Sequence, residues 1–197
     1  MPEQVCQLCG RPVAGVVRCS ACWQDPPAFE ALRSACFFEG TVREMIHSLK
    51  YKRARHLAGP LAQLLEPVIE ELTRSGGMAS SPEVIVPVAL HPARQAARGY
   101  NQSTLIAVEL SESLAATVSE SALRRLRDTP PQIGLSAAER QWNVRGAFEG
   151  DPAIVKGRSI LLLDDVCTTG ATLSACASAL RRAGARQVVA LTVARAR

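Results

Sequence analysis

Apolar positions along this chain follow two periods, with a stretch at the start that follows neither. From residue 36 to about residue 72 they recur at three- and four-residue steps. Val42, Met45, Ile46 and Leu49 come first, then Leu57, Leu61, Leu64, Leu65, Val68 and Ile69, and the spacing predicts helices with one buried stripe. The stretch SGGMASSP, residues 75–82, reads as a surface loop. Beyond it, unbroken apolar runs alternate with helical ones. Residues 84–88 predict a short strand, and residues 101 to about 115 a helix with Ile106, Leu110 and Leu114 on one face. A second strand is expected at 160–163, then a helix through Leu180 that Gly184 is placed to cap, and a third strand at 188–193. Apolar runs without alternation are strands buried on both faces, so the expected fold class is α/β with a parallel sheet.

Residues 1–30 carry four of the seven cysteines together with Pro2, Pro12, Pro26 and Pro27, and show no sustained period. Such a segment is too short to bury a core unaided. The expected organisation is therefore a small head over residues 1–30 and an α/β domain over residues 36–197. At 197 residues, 47% apolar and 21% charged, the chain is long enough for a real core and is not a disordered one. No apolar run reaches the ~18 residues of a membrane helix. MPEQVCQLCG lacks the basic and apolar regions of a secretory signal, so a cytoplasmic location with reduced thiols is expected. The net charge of +5, with a pI near 9.0, suits a polyanion such as nucleic acid or a phosphorylated ligand. Aromatic residues, at 4%, are too few for extended base stacking.

The run ILLLDDVCTTGATL, residues 160–173, carries the strongest chemical signal. Ligands of open α/β sheets bind beyond the carboxyl ends of the strands, and Asp164 and Asp165 are expected at such an end. Thr168, Thr169, Gly170, Ala171 and Thr172 then turn into a helix, whose first N–H groups and dipole favour an anion. Gly170 lets the backbone approach a phosphate, and the threonine hydroxyls add donors. The carboxylates can accept hydrogen bonds from vicinal hydroxyls or help hold Mg²⁺. Phosphate donors beside diol acceptors describe a ribose 5-phosphate site. A plainer reading, two solvated acids and a threonine cap, is outweighed by the TTG tract at this offset. A Walker B strand also ends in acid, but G-x-x-x-x-G-K-[ST] is absent from the sequence. A second stretch, PVALHPARQAARGYNQS at 87–103, sets Arg94, Arg98, Gly99, Asn101, Gln102 and Ser103 before a helix start, which again suits an anion. The alternative is that Asn101 or Ser103 merely caps the helix.

ILLLDDVCTTGATL closely resembles the phosphoribosyl-pyrophosphate signature of the type I phosphoribosyltransferase fold. RGYNQS, the segment RRLRDTPPQIGLSAAERQWNVRGAF, LKYKRARHLA and the cysteine-rich head together resemble the ComF family of phosphoribosyltransferase-like proteins, over nearly the whole chain. The resemblance implies that Asp164 and Asp165, the candidate catalytic residues, face the ribose 2′- and 3′-hydroxyls, with a diol and Mg²⁺ coming between them. It implies that residues 164–172, with Val166 and Cys167 among them, wrap the ribose and its 5′-phosphate. Arg94, Arg98, Gly99, Asn101, Gln102 and Ser103 would form the pyrophosphate loop, and Arg125, Gln132, Arg140 and Asn143 a mobile loop over the site. Ala89 stands where the family often repeats proline and Tyr100 where phenylalanine is common; neither change removes a charge or a donor. The family also implies a role in natural competence. Phosphoribosyl pyrophosphate or a related ribose 5-phosphate would be the ligand, and single-stranded DNA and competence proteins the partners. Transfer to a nucleobase stays open, because the sequence names no base-reading residue and no general acid or base.

Cys6-x-x-Cys9 and Cys19-x-x-Cys22, nine residues apart, offer four thiolates for a closed tetrahedral Zn²⁺ site that would fold the head. The gap is shorter than the common ~15–20 residues, so the ribbon would be compact. Cys36 and Cys176 read as small buried hydrophobes. Cys167 lacks a base partner and is not expected to act as a nucleophile. Lys50, Lys52, Arg53 and Arg55, with Tyr51 and His56 between them, read equally as a nucleic-acid track or as the solvated end of a helix.

Overall fold

The computed structural model describes residues 4–78, 81–128 and 137–197. After the N-terminal cysteine turns come α1 (Ser20–Gln24), β1 (Ala31–Phe37), α2 (Gly40–Tyr51), a single 3-10 turn (Arg55–Leu57), α3 (Ala58–Gln63) and α4 (Glu66–Arg74). β2 (Val84–Pro87), α5 (Pro92–Arg98) and α6 (Gln102–Leu114) lead to β3 (Thr117–Val118). β4 (Leu123–Arg125), α7 (Ala137–Val144), β5 (Phe148–Gly150) and α8 (Pro152–Val155) precede β6 (Ser159–Cys167), α9 (Ala171–Arg182) and β7 (Gln187–Arg195).

Five strands form one parallel sheet in the order β1-β7-β6-β2-β3. Along β6 the side chains alternate between two cores. Ile160 and Leu162 pack with Leu173, Cys176 and Leu180 of α9, while Leu161 and Leu163 pack with Ile46, Leu61, Ile69, Ile106 and Leu110 on the other face. Both faces are covered, so neither tolerates a polar residue, and the sequence shows an unbroken run. From β2 the sheet extends outward to β3, and from β6 it extends the opposite way to β7. The strand order therefore reverses between β2 and β6, and the crevice at their carboxyl ends is where such sheets take ligands.

Residues 36 and 37, expected in a helix, instead finish β1. Arg33 and Ser34 interrupt the apolar pattern of that strand. Ser34 is buried all the same, because its hydroxyl meets Thr192 Oγ1 of β7 at 2.6 Å. The helical region that follows is broken into short pieces, with Pro60 and Pro67 in first turns, where a missing N–H does least harm. Residues 123–150 contain the short antiparallel pair β4–β5, with α7 between its strands. No described helix is long and apolar enough to cross a membrane.

Candidate functional site

β6 does not end at the acids. It stays in register with β7 through Asp164↔Thr192, Val166↔Ala194 and Cys167↔Arg195, so both carboxylates lie within the strand. Asp165 is 3% exposed and Asp164 half-buried, which rules out two solvated acids. The chain then turns through exposed Thr168 and half-buried Thr169 to Gly170, whose φ of 86° is left-handed and strains any residue with a Cβ. Thr169 Oγ1 accepts a hydrogen bond from the Ala171 N–H at 3.3 Å, and α9 begins there. Asp164, Val166, Cys167, Thr168, Gly170, Ala171 and Thr172 line one side of a cavity of about 450 Å³. Phe38, Arg43, Ile46, His47, Lys50 and Tyr51 line the other. One acid and the small-residue loop thus share a cavity, as the sequence suggested. The Cys167 thiol is buried, and burial pushes it up to about 11, so it is no nucleophile at neutral pH.

The adjacent carboxylates are held by Lys50, whose ammonium forms an ion pair with Asp165 Oδ2. Gln102 Nε2 donates to Asp165 Oδ1 at 3.2 Å, and Ser103 Oγ donates to Asp164 Oδ1 at 3.0 Å. The Asp165 N–H also donates to Asp164 Oδ1, at 2.9 Å. Burial raises the Asp164 carboxyl, the neighbouring charge of Asp165 raises it further, and it is pushed up to about 7. Burial also acts on Asp165, but Lys50 and the hydrogen bonds from its neighbours outweigh it, and this carboxyl lies below the usual range. Lys50 is the mirror case: burial opposes its charge, Asp165 more than restores it, and its pKa is raised. The pair therefore keeps its negative charge on Asp165.

Sequence reading did not place Lys50 in the site. Its signal lay on the flank of the α2 stripe. With Ile46 and Leu49 turned into the core, Arg43, His47 and Lys50, at four- and three-residue steps, face the cavity. The rest of the basic cluster disperses. Lys52 and Arg53 are exposed, and Arg55 lies over the Tyr100 ring at 4.6 Å.

The second stretch divides. Gln102 and Ser103 are buried and reach the acids. Asn101 caps α6, its Oδ1 accepting from the Ser103 N–H at 3.0 Å while its Nδ2 donates to Val88 O at 3.0 Å. Arg98 donates to Gln102 Oε1 and lies 5.5 Å from the Tyr51 ring. Gly99, with φ 82°, ends α5. Arg94 pairs with Asp128 at 3.4 Å, and His91 Nδ1 accepts from the Ala93 N–H at 3.4 Å. Arg125 lies 5.3 Å from the Phe148 ring, and burial, followed by the charge of Arg94, lowers its pKa. It borders, with Asn101, a separate hollow of about 370 Å³. Arg140 and Asn143 lie on α7, and Gln132 falls outside the described residues.

Residues 57–197 match the family described as phosphoribosyl transferase domain. The chain belongs to that family. It is a ComF-like member, similar over most of its length to two bacterial proteins. The DNA utilization protein YhgH of Escherichia coli (strain K12) is 34% identical over 187 residues, 94% of this chain and 82% of that one. Competence protein F of Haemophilus influenzae is 31% identical over 182 residues, 90% and 78% of the two chains. An adenine phosphoribosyltransferase of Mycobacterium marinum is 31% identical over 103 residues, 49% of this chain and 55% of that protein. The match to the phosphoribosyltransferase family starts after α2, so Lys50 lies outside it.

The cysteine head of this ComF-like chain has the geometry of a metal centre. The sulfurs of Cys6, Cys9, Cys19 and Cys22 all lie within 4.8 Å of one another, with Cys9 and Cys19 at 3.7 Å. A tetrahedral zinc with Zn–S bonds of about 2.3 Å has sulfur–sulfur edges of about 3.8 Å, whereas a disulfide needs about 2.05 Å. The Cys19 N–H points at Cys6 Sγ at 3.4 Å. Burial would raise the Cys6 thiol, but the N–H groups around it outweigh burial and bring it down to about 6. Cys9 and Cys22 are raised, first by burial and then by neighbouring cysteines, and a Zn²⁺ would supply the positive charge that holds four thiolates together. Besides the cysteines, only Leu8 and Val13 pack into this cluster among the described residues.

Proposed function

We propose that this chain binds phosphoribosyl pyrophosphate, or a related ribose 5-phosphate, in the 450 Å³ cavity. The process it serves is the competence-related handling of incoming single-stranded DNA in the cytoplasm. One observation carries the reading: Asp164 and the first turn of α9 open into the same cavity. A carboxyl group that accepts from vicinal hydroxyls thereby stands beside N–H and threonine donors that grip a phosphate. Residues 168–172 hold the 5′-phosphate, and Asp164 meets the diol. Arg94, Arg98 and Gly99 serve the pyrophosphate side, with Mg²⁺ carried on the pyrophosphate itself. Arg125 and Asn143 belong to the loop that would close over a bound ligand; Gln132, expected in the same loop, lies outside the described residues. Zn²⁺ on the four head cysteines is structural.

The names of the relatives support the DNA process, and the +5 net charge supports a polyanionic partner. Exposed Trp23 and Trp142 each lie near a guanidinium, Arg18 at 5.3 Å and Arg145 at 5.6 Å, a combination that suits unpaired bases. Competence proteins are the expected partners at that step.

The test is calorimetric titration of zinc-loaded protein with phosphoribosyl pyrophosphate and Mg²⁺, beside an Asp164→Asn/Asp165→Asn variant. Heat released by the native protein and lost in the folded variant is expected. A folded native protein that does not bind would sink the proposal. A second reading, transfer of a phosphoribosyl group between pyrophosphate and a nucleobase, is favoured by Phe38, His47 and Tyr51, a partly aromatic wall facing the phosphate loop. Release of pyrophosphate on adding a nucleobase would decide for it.

A further inference from the structure

The phosphoribosyltransferase resemblance puts a divalent cation between the paired acids, and the donor set there does not suit one. Three of the four carboxylate oxygens are engaged. Asp165 Oδ2 holds the Lys50 ammonium, Asp165 Oδ1 accepts from Gln102, and Asp164 Oδ1 accepts from Ser103 Oγ and the Asp165 N–H. Mg²⁺ demands near-octahedral oxygen ligation and gives up water reluctantly. An ammonium already on one carboxylate both removes a ligand and repels the ion.

We infer that Lys50 is the built-in cation of this site, so that a ribose phosphate binds against Asp164 with no divalent ion bridging the two carboxylates. The inference rests on reading the cavity as a phosphoribosyl site. Lys50 is well placed for the task. It lies in the last turn of α2, and the neighbouring Leu49 is wholly buried. The Leu49 carbonyl accepts the Tyr100 hydroxyl, so the segment leading into α6, whose first residues are Gln102 and Ser103, also fixes the backbone beside Lys50. Its side chain, 21% exposed, forms part of the cavity wall with Asp164. An ammonium has three donors; one meets Asp165, and the others are available to a bound hydroxyl or phosphate oxygen. Lys50 also lies ahead of the residues that match the family, so the device belongs to the N-terminal part of this chain.

Ribose 5-phosphate is the suitable probe, because it lacks the pyrophosphate that gathers Mg²⁺ for itself. With zinc-loaded native protein, its dissociation constant should be the same, within about threefold, in magnesium-free buffer and in saturating Mg²⁺. Lys50→Met should weaken binding about tenfold or more in magnesium-free buffer, with part of the loss recovered when Mg²⁺ is added, and Lys50→Arg should retain most of the affinity. A measurement without ligand follows Mn²⁺ by electron paramagnetic resonance. Native protein should show no Mn²⁺ site that Asp165→Asn abolishes, and Lys50→Met should gain one. An Asp165-dependent Mn²⁺ site in native protein would overturn the inference, as would tenfold weaker ribose 5-phosphate binding by native protein when Mg²⁺ is withdrawn. If folded native protein binds no ribose 5-phosphate in either buffer, the phosphoribosyl reading fails, and the manganese comparison still decides the role of Lys50. If Lys50→Met does not fold, the native and Asp165→Asn manganese titrations decide alone.

Discussion

Replacing Lys50 by methionine keeps the bulk of the side chain and removes its charge, which isolates the ion pair energetically. Asp165 is 3% exposed and would lose its cation while Asp164 stays beside it. Breaking a buried pair from one side costs about 3–5 kcal/mol. Without Lys50, burial governs the Asp165 carboxyl and carries it above its ordinary value. The assay is urea unfolding of native protein and variant across the pH range from about 4 to about 8, with free energies from linear extrapolation. In native protein the Asp165 pKa is depressed, so its contribution is present above the unfolded value of 3.8 and is lost as pH falls through the folded one. In the variant the folded pKa lies above the unfolded one, so the contribution is present below the unfolded value and is lost as pH rises through the folded one. The gap between the two proteins should therefore open with rising pH and narrow towards pH ~4. Lys50→Met/Asp165→Asn should recover most of the loss, giving a coupling free energy of about 2 kcal/mol or more. A deficit under about 1 kcal/mol near pH 8, or one equal at every pH, would refute the reasoning.

Asp164→Asn should flatten the pH dependence in a complementary way. The Asp164 carboxyl is raised from 3.8 to about 7, so its contribution is present below 3.8 and lost as pH rises through about 7, and the variant should gain about 1–3 kcal/mol on native protein near pH 8 by urea unfolding. Metal analysis should find one zinc per chain, and stripping it should expose the backbone of residues 4–25 to rapid hydrogen exchange while the sheet stays protected. Gly10→Ala should undock the head. Its φ of 66° is left-handed and the new Cβ would stand 2.4 Å from Leu32 O, so a loss of about 1–3 kcal/mol in thermal unfolding is expected from the backbone strain alone. Leu162→Ala, at a position wholly buried on the α9 face of the sheet, should cost about 2–5 kcal/mol in urea unfolding.

The inner strands and the small-residue turn at 168–172 were legible because one physical cause wrote each of them. β6 and β7 are covered on both faces and so read as unbroken apolar runs. Gly170 and its threonines serve a helix start that opens on a cavity. β1 was not legible: it forms one edge of the sheet, and its polar residues are matched by partners far along the chain, as Ser34 is by Thr192. Lys50 was hidden for the same reason. Lys52 and Arg53, just beyond it, are basic and exposed, and only the fold brings Lys50, from 115 residues away, to Asp165. Nor could spacing show that Asn101 would spend both ends of its amide on its own loop while Gln102 and Ser103 held the acids.

The position of the cysteine head follows from the same edge strand. β1 closes one side of the sheet, and an unpaired edge offers free N–H and C=O groups to any passing strand. The first knuckle covers part of it: the Leu32 N–H donates to Leu8 O at 2.7 Å, Arg33 Nη1 donates to Gln7 O at 3.0 Å, and Arg195 of β7 donates to Cys9 O. The head has almost no apolar core, so the sulfur cluster must hold the turn in shape for those three carbonyls to point at the sheet. The other side of this contact is the small-residue turn before α9. Cys9, Cys22 and Phe29 border a hollow of about 290 Å³ together with Thr169, Gly170 and Ala171. A Cβ built on Gly170 would lie 3.7 Å from Leu32 Cδ2. Leu32 is therefore bonded to the knuckle through its N–H while its side chain supports the loop. If zinc holds the four sulfurs, stripping it should loosen the head first and the back of the turn at residues 168–170 next, because the two share this packing.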